Sequence, residues 1–132
     1  MMDHQATTFW EHWTLKTGQA MNSHNHAWMA VVSGWMLRWL AGIQTDAGRP
    51  GYERIIFAPQ FPAGLDHVAG SIRLEPGTVA SAWRRDGNVI RLELTIPENS
   101  TGLLRLPAGW GDAPHGELGA GHHELHLLHT QA

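Results

Sequence analysis

The sequence predicts a mostly-β protein, an antiparallel β-sandwich preceded by one long α-helix of the buried type. Three observations lead there. From residue 54 onward, apolar and polar residues alternate in short runs separated by Gly, Pro, Asn and Asp. Ahead of these runs, residues 27–41 form one nearly continuous apolar stretch with a capping segment before it and Gly42 after it. Five of the seven tryptophans (Trp10, Trp13, Trp28, Trp35 and Trp39) precede residue 40. The aromatic mass lies at one end, so two regions of different kind are expected, with residues 1–45 and 46–132 as the divisions. At 132 residues and 42% apolar content, the chain suits one ordinary domain with a modest core.

The first region opens with few signals. Thr7-Thr8-Phe9-Trp10 is β-branched and aromatic, which suits short extended structure or a loop. Residues 14–20, with Gly18, read as a loop. A helix is expected over residues 23–42. Asn22 or Ser23 can cap it by accepting an orphan backbone N–H, and Gly42 can end it. The interior, from Ala27 to Ala41, has almost no polar face. Such a helix is buried in a large core or spans a membrane. The apolar run includes Arg38 and falls short of the ~20 residues a span needs, so burial is the expectation and no membrane is implied. The remaining chain barely suffices to cover every side of this helix. Other chains or a larger parent should cover it, and self-association into a homo-oligomer through residues 23–42 is expected.

Residues 44–52 read as a turn-rich linker. Strands are then expected at 54–58, at 66–74 with Val68, Gly70, Ile72 and Leu74 on one face, and at 78–84 with Val79 and Trp83. Asp86-Gly87-Asn88 marks a hairpin turn, because Gly and Asn tolerate positive φ. Residues 89–96 alternate, with Ile90, Leu92, Leu94 and Ile96 inward and Arg91, Glu93 and Thr95 outward. A turn at 97–100, a strand at 101–106, a loop at 109–121 and a last strand at 122–129 complete the pattern.

Charge and motifs narrow the function. A net charge of −3 with no basic stripe gives no footprint for nucleic acid. Without cysteine there is no disulfide framework and no thiolate metal site, and compartment is not legible. The first residues lack the basic and apolar regions of a signal peptide. Neither a phosphate-cradling glycine loop nor a Gly-x-Ser-x-Gly elbow is present. Asn99-Ser100-Thr101 matches the N-glycosylation triplet, a pattern common by chance.

Two clusters could carry chemistry. In Trp10-Glu11-His12-Trp13 a carboxylate stands between two indoles, where apolar neighbours would raise its pKa toward that of a working general acid or base. Indole faces also suit the C–H faces of sugars. The competing reading is an exposed glutamate in a loop whose tryptophans pack elsewhere. In Ser23-His24-Asn25-His26, at the expected helix start, His26 could donate to a substrate hydroxyl, or both histidines could be solvated. His24 and His26 are too close in sequence to share a helix face, so a metal site there would need ligands from afar. In the tail, His122 and His126 share one strand face and His123 and His129 the other; with His115 they match no metal motif. No metal and no cofactor are expected.

Read together, these segments resemble bacterial α-L-rhamnosidases. Ala6-Thr7-Thr8-Phe9-Trp10-Glu11-His12-Trp13 resembles that family's "ATT-aromatic-WE-x-W" stretch. Ser23-His24-Asn25-His26-Ala27 resembles its "S-x-NH-aromatic" helix start, with Ala27 where an aromatic is usual. Trp39-Leu40-Ala41-Gly42-Ile43 is similar to the "hydrophobic-AGI" helix exit. Gly51-Tyr52-Glu53-Arg54 and Ile56-Phe57-Ala58-Pro59 resemble the approach to a C-terminal β-sandwich, and Trp83-Arg84-Arg85-Asp86-Gly87 and residues 95–101 resemble its later hairpins. The resemblance implies an inverting glycoside hydrolase acting on terminal α-L-rhamnosides. Residues 1–45 would be a remnant of its (α/α)₆ catalytic barrel, with the helix as the barrel's last. Glu11 would be the general base, His26 would hydrogen-bond the rhamnose, and Trp10 and Trp13 would line the pocket. The general acid lies on a part of the barrel this chain lacks, so the chain alone is expected to be inactive. The alternative is a stand-alone, non-catalytic β-sandwich that binds carbohydrate or a partner through Trp83 or Trp110.

Overall fold

A computed structural model describes residues 1–18, 23–75, 77–111 and 116–130. Asn22 and His115, named above as a possible cap and as part of the histidine-rich tail, lie outside the described residues. The chain forms two compact units, Met1–Trp35 and the residues from Met36 onward.

The second unit is the sandwich. Its strands are β1 (Ile43–Thr45), β2 (Arg54–Phe57), β3 (His67–Leu74), β4 (Gly77–Asp86), β5 (Val89–Ile96), β6 (Thr101–Leu104), β7 (Glu117–Leu118) and β8 (Gly121–Leu128). One sheet has the order β1-β2-β6-β7 and the other β3-β4-β5-β8. The expected strands are all present within a few residues. Two further strands fall where the sequence suggested a linker and a loop. β1 is three residues long and β7 two, too short for alternation to register. All pairings are antiparallel except β2 with β6, which runs parallel. After β2 the chain builds β3, β4 and β5 in the opposite sheet and then returns, and only such a crossover lets two strands run side by side in one direction.

The core follows the alternation read from the sequence. Ile90, Leu92, Leu94 and Ile96 of β5 are buried, as are Val79 and Trp83 of β4. They meet Ile55 and Phe57 of β2 and Leu104 of β6, a contiguous apolar layer between the sheets. The close approach is made possible by Gly102, where an added Cβ would stand 2.6 Å from Ile96 Cδ1 and 3.1 Å from Phe57 Cε2.

The helix differs from expectation in its start and its surroundings. It begins at Ala27 instead of residue 23, runs as an α-helix to Trp35, and ends in a five-residue π-turn, Met36–Leu40, closed by Ala41 N–H donating to Met36 C=O at 3.1 Å. Residues 23–26 cannot be helical because their backbone is engaged elsewhere, as described below. None of the α-helical residues is buried: Trp28 is 81% and Val31 67% exposed. Its apolar character is real, but nothing in the described residues covers it.

The π-turn belongs to the sandwich. Leu37 and Ala41 lie so close to Gly70 of β3 that a Cβ there would come within 2.8 Å and 2.9 Å of their side chains. The indole N–H of Trp83 donates to Leu40 C=O at 2.9 Å. Gly42, at φ 78°, turns the chain against Pro59, whose backbone nitrogen a Cβ would meet at 2.1 Å. The expected stop at Gly42 is therefore a real one, set by backbone contact as well as by conformation.

Candidate functional site

In the first unit, two stretches distant in sequence are laced together through their backbones. Glu11 N–H donates to Ser23 C=O at 2.9 Å, and His26 N–H donates to Phe9 C=O at 2.8 Å. The Glu11 carboxylate then accepts the Ser23 N–H at 3.1 Å through Oε2. Asn25 N–H donates to Ser23 Oγ at 3.2 Å, and Thr8 Oγ1 donates to His24 C=O. His26 is the actual cap of the helix, its carbonyl accepting Met29 N–H at 3.0 Å. This lacing is why the helix starts at Ala27.

The four residues singled out by sequence take different positions. Glu11 and His26 are both partly buried and lie on the paired stretches 9–11 and 23–26. His26 Nδ1 is shielded from solvent and has no hydrogen-bond partner among the described residues. Trp10 is buried at 7% exposure and is occupied on its faces, stacking on His24 at 4.3 Å and 17° and on His4 at 5.9 Å and 26°. Trp13 is 73% exposed and helps line a cavity of about 540 Å³ with Met1, Asp3, Ala6, Thr7, Thr8 and Phe9. Neither Glu11 nor His26 is among that cavity's described lining residues. The structure therefore brings Glu11 and His26 onto paired stretches of chain, buries Trp10 against His24 and His4, and leaves Trp13 open to solvent.

Sequence reading missed the part played by Ser23, whose N–H and C=O grip Glu11 from both sides. Backbone pairing between irregular segments leaves no periodic signal. It also missed an ion-pair cluster in the second unit. Arg54, on β2, pairs with Asp46 and with Glu117 of β7, the latter at 3.2 Å. The Gly48 N–H and then the Arg54 guanidinium hold the Asp46 carboxyl below its ordinary range, and Asp46 in turn raises Arg54. The cluster ties the inner strand β2 to the residue that follows β1 and to β7, the strand at the opposite edge of the sheet. No group of three or more His, Asp or Glu side chains among the described residues could hold a metal ion. No described helix is long and apolar enough to cross a membrane.

Residues 42–120 match the family of bacterial alpha-L-rhamnosidase C-terminal domains. The chain belongs to this family. The matched stretch begins at Gly42, after the π-turn, and covers every described strand of the sandwich but β8. Curated relatives agree. An alpha-L-rhamnosidase of Formosa agariphila is 31% identical over 77% of this chain, and one of Streptomyces avermitilis is 28% identical over 84%. This rhamnosidase C-terminal chain spans only 11% of the length of either. Among solved structures, the alpha-L-rhamnosidase of Dictyoglumus thermophilum superposes with a TM-score of 0.77 at 25% identity, covering 97% of this chain and 17% of its own. That of Aspergillus terreus gives 0.76 at 25% identity over 95% of this chain and 15% of its own. The Streptomyces avermitilis enzyme, solved with L-rhamnose, shares the fold with a TM-score of 0.66 at 23% identity. The structural matches extend over nearly the whole chain, and so include the first unit that the family match leaves out.

Proposed function

We propose that this chain is the C-terminal part of an α-L-rhamnosidase, contributing the general base to hydrolysis of terminal α-L-rhamnosides by the complete enzyme. One observation carries the proposal: the backbone pairing of residues 9–11 with 23–26, which joins Glu11 and His26 across more than a dozen residues of sequence. In an inverting glycosidase the base removes a proton from water as that water attacks the anomeric carbon, while an acid protonates the departing glycosidic oxygen from the other side. The two carboxyl groups stand roughly 6.5–9.5 Å apart to admit the water. Glu11 suits the first role because Ser23 N–H holds its carboxylate in one orientation, as a positioned base requires. His26, half-buried on the stretch paired with residues 9–11, is the imidazole assigned to contact a sugar hydroxyl. The exposed Trp13 indole offers a face to the sugar ring, and Trp10, stacked on His24, braces the paired stretches.

On this reading, the first unit completes a catalytic barrel supplied by the rest of the enzyme, the sandwich domain takes in β1 and so begins a few residues ahead of the 45/46 division expected from the sequence, and the acid lies on the rest. The chain by itself should not turn over an aryl α-L-rhamnoside. Adding the N-terminal remainder of the Dictyoglumus thermophilum relative, truncated ahead of the matching segment, should restore turnover. Glu11→Gln should then cost at least ~10²-fold in kcat, the scale of a lost general base. Turnover by the chain alone, or restored turnover indifferent to Glu11→Gln, would sink the proposal.

The rival reading is a non-catalytic sandwich that binds carbohydrate or a partner through Trp83 or Trp110. They are 2% and 7% exposed and both meet Phe61 edge to face, so neither has a ring face to give.

A further inference from the structure

The outward face of the β3-β4-β5-β8 sheet carries a pattern that packing does not explain. The registers put His67 opposite Arg84, Arg84 opposite Arg91, and Arg91 opposite His126. One basic or imidazole side chain from each of four strands thus forms a single row across the sheet. Like charges directly opposite one another oppose sheet formation. The next row reads Ala69, Ala82, Glu93, Glu124. Half of the cationic row is neutralised from there. Arg91 Nε lies 3.1 Å from Glu93 Oε1 and 3.0 Å from Glu124 Oε1, and His126 Nε2 lies 3.0 Å from Glu124 Oε1. The other half is not. The exposed Arg84 side chain makes no ion pair or hydrogen bond among the described residues; in the next row it stands over Ala82, with Ala69 on one side and Glu93, already paired with Arg91, on the other. The same residues, His67, Ala69, Ala82, Arg84, Arg91 and Glu93, line a groove of about 240 Å³.

We propose that this groove binds a carboxylate-bearing sugar residue. A guanidinium fork with both arms unengaged matches a carboxylate in two parallel hydrogen bonds. Arg91 and Glu93, already paired at the other wall, set a donor beside an acceptor, the combination that adjacent ring hydroxyls require. The alanine floor lets a pyranose ring lie close to the sheet without displacing a side chain. The groove is smaller than the ~300–1,000 Å³ of drug-sized pockets, which suits one ring. Of the remaining charges on this face, Arg73 lies three rows away and Asp86 lies in the row beside Arg84 on the side away from the alanines; neither lines the groove.

The test is amide chemical-shift titration of the full chain with methyl β-D-glucuronide, methyl β-D-glucoside and glucose 6-sulfate. The glucuronide should shift the amides of Ala69, Ala82, Arg84 and Arg91, with a dissociation constant on the order of 1 mM, as expected for a single ring. The glucoside should bind at least tenfold more weakly, and Arg84→Gln should weaken the glucuronide at least tenfold with the melting temperature unchanged. Glucose 6-sulfate binding as tightly as the glucuronide would overturn the carboxylate assignment. Equal binding of the glucoside, shifts confined to other faces, an unaffected Arg84→Gln variant, or no binding at all would overturn the site itself. None of these readouts depends on rhamnosidase activity, so the site can fail while the proposed function stands.

Discussion

A β-carbon at Gly102 has nowhere to go but into Ile96 and Phe57, at the centre of the layer between the sheets. Gly102→Ala is therefore expected to cost ~1–3 kcal/mol, the usual penalty of overpacking, read as a lower urea midpoint at constant slope. Ser81 makes the opposite case. It is fully buried on β4 and its hydroxyl has no partner among the described residues. Burying such a group costs about 1–3 kcal/mol in mutational data, so Ser81→Ala should be neutral or stabilising by the same measurement. Asp46 gives a pH prediction. Its folded pKa is depressed by Gly48 and Arg54, so its contribution is complete above the unfolded carboxylate value of about 3.9 and is lost as pH falls through the lower folded value. Arg54→Met should lower the urea midpoint at pH 7, and the gap from the parent protein should narrow by pH 3. A gap independent of pH would show that Arg54 acts through packing alone.

At the scale of elements, the helical run from Ala27 to Leu40 behaves as two pieces. Its last turn is held by Gly70, Trp83 and Gln60, while its first nine residues leave Trp28, Val31 and Trp35 open to water. An apolar surface of this kind on a small protein marks a contact site. We expect the isolated chain to self-associate through it, with the average mass in sedimentation rising with concentration. Trp28→Glu combined with Trp35→Glu should return the chain to monomer without lowering its melting temperature, because neither residue is buried. A parent chain that stays monomeric at high concentration would refute this. The sequence announced the helix by its apolar run. It did not announce that residues 23–26 would be drawn out of it, because the bonds that do so come from residues 9–11.

For the molecule as a whole, the sandwich has a core of its own and includes the π-turn that closes one side of it. Removing residues 1–35 should leave a cooperative unfolding transition, with the β-rich circular dichroism signal retained. Loss of that transition would mean that the first unit is needed to fold the second.

What the sequence determined by itself was whatever repeats locally. The period-two alternation of β5 named its buried residues Ile90, Leu92, Leu94 and Ile96, and the glycines marked turns. The ordered motifs pointed to a rhamnosidase C-terminal part before any geometry was known. Only the tertiary structure decided what depends on residues far apart in the chain. It made Trp10 a packed residue and Trp13 an exposed one, although both flank Glu11. It gave the Glu11 carboxylate a partner in Ser23, paired β2 with β6 in parallel, and aligned His67, Arg84, Arg91 and His126 in one row. The reason is physical. Alternation and capping are short-range consequences of backbone geometry, whereas register between strands and pairing between loops are settled by contacts that no local pattern encodes. Glu11 stands on that boundary: its neighbours in sequence suggested a catalytic carboxylate, and its neighbours in space show how it is held.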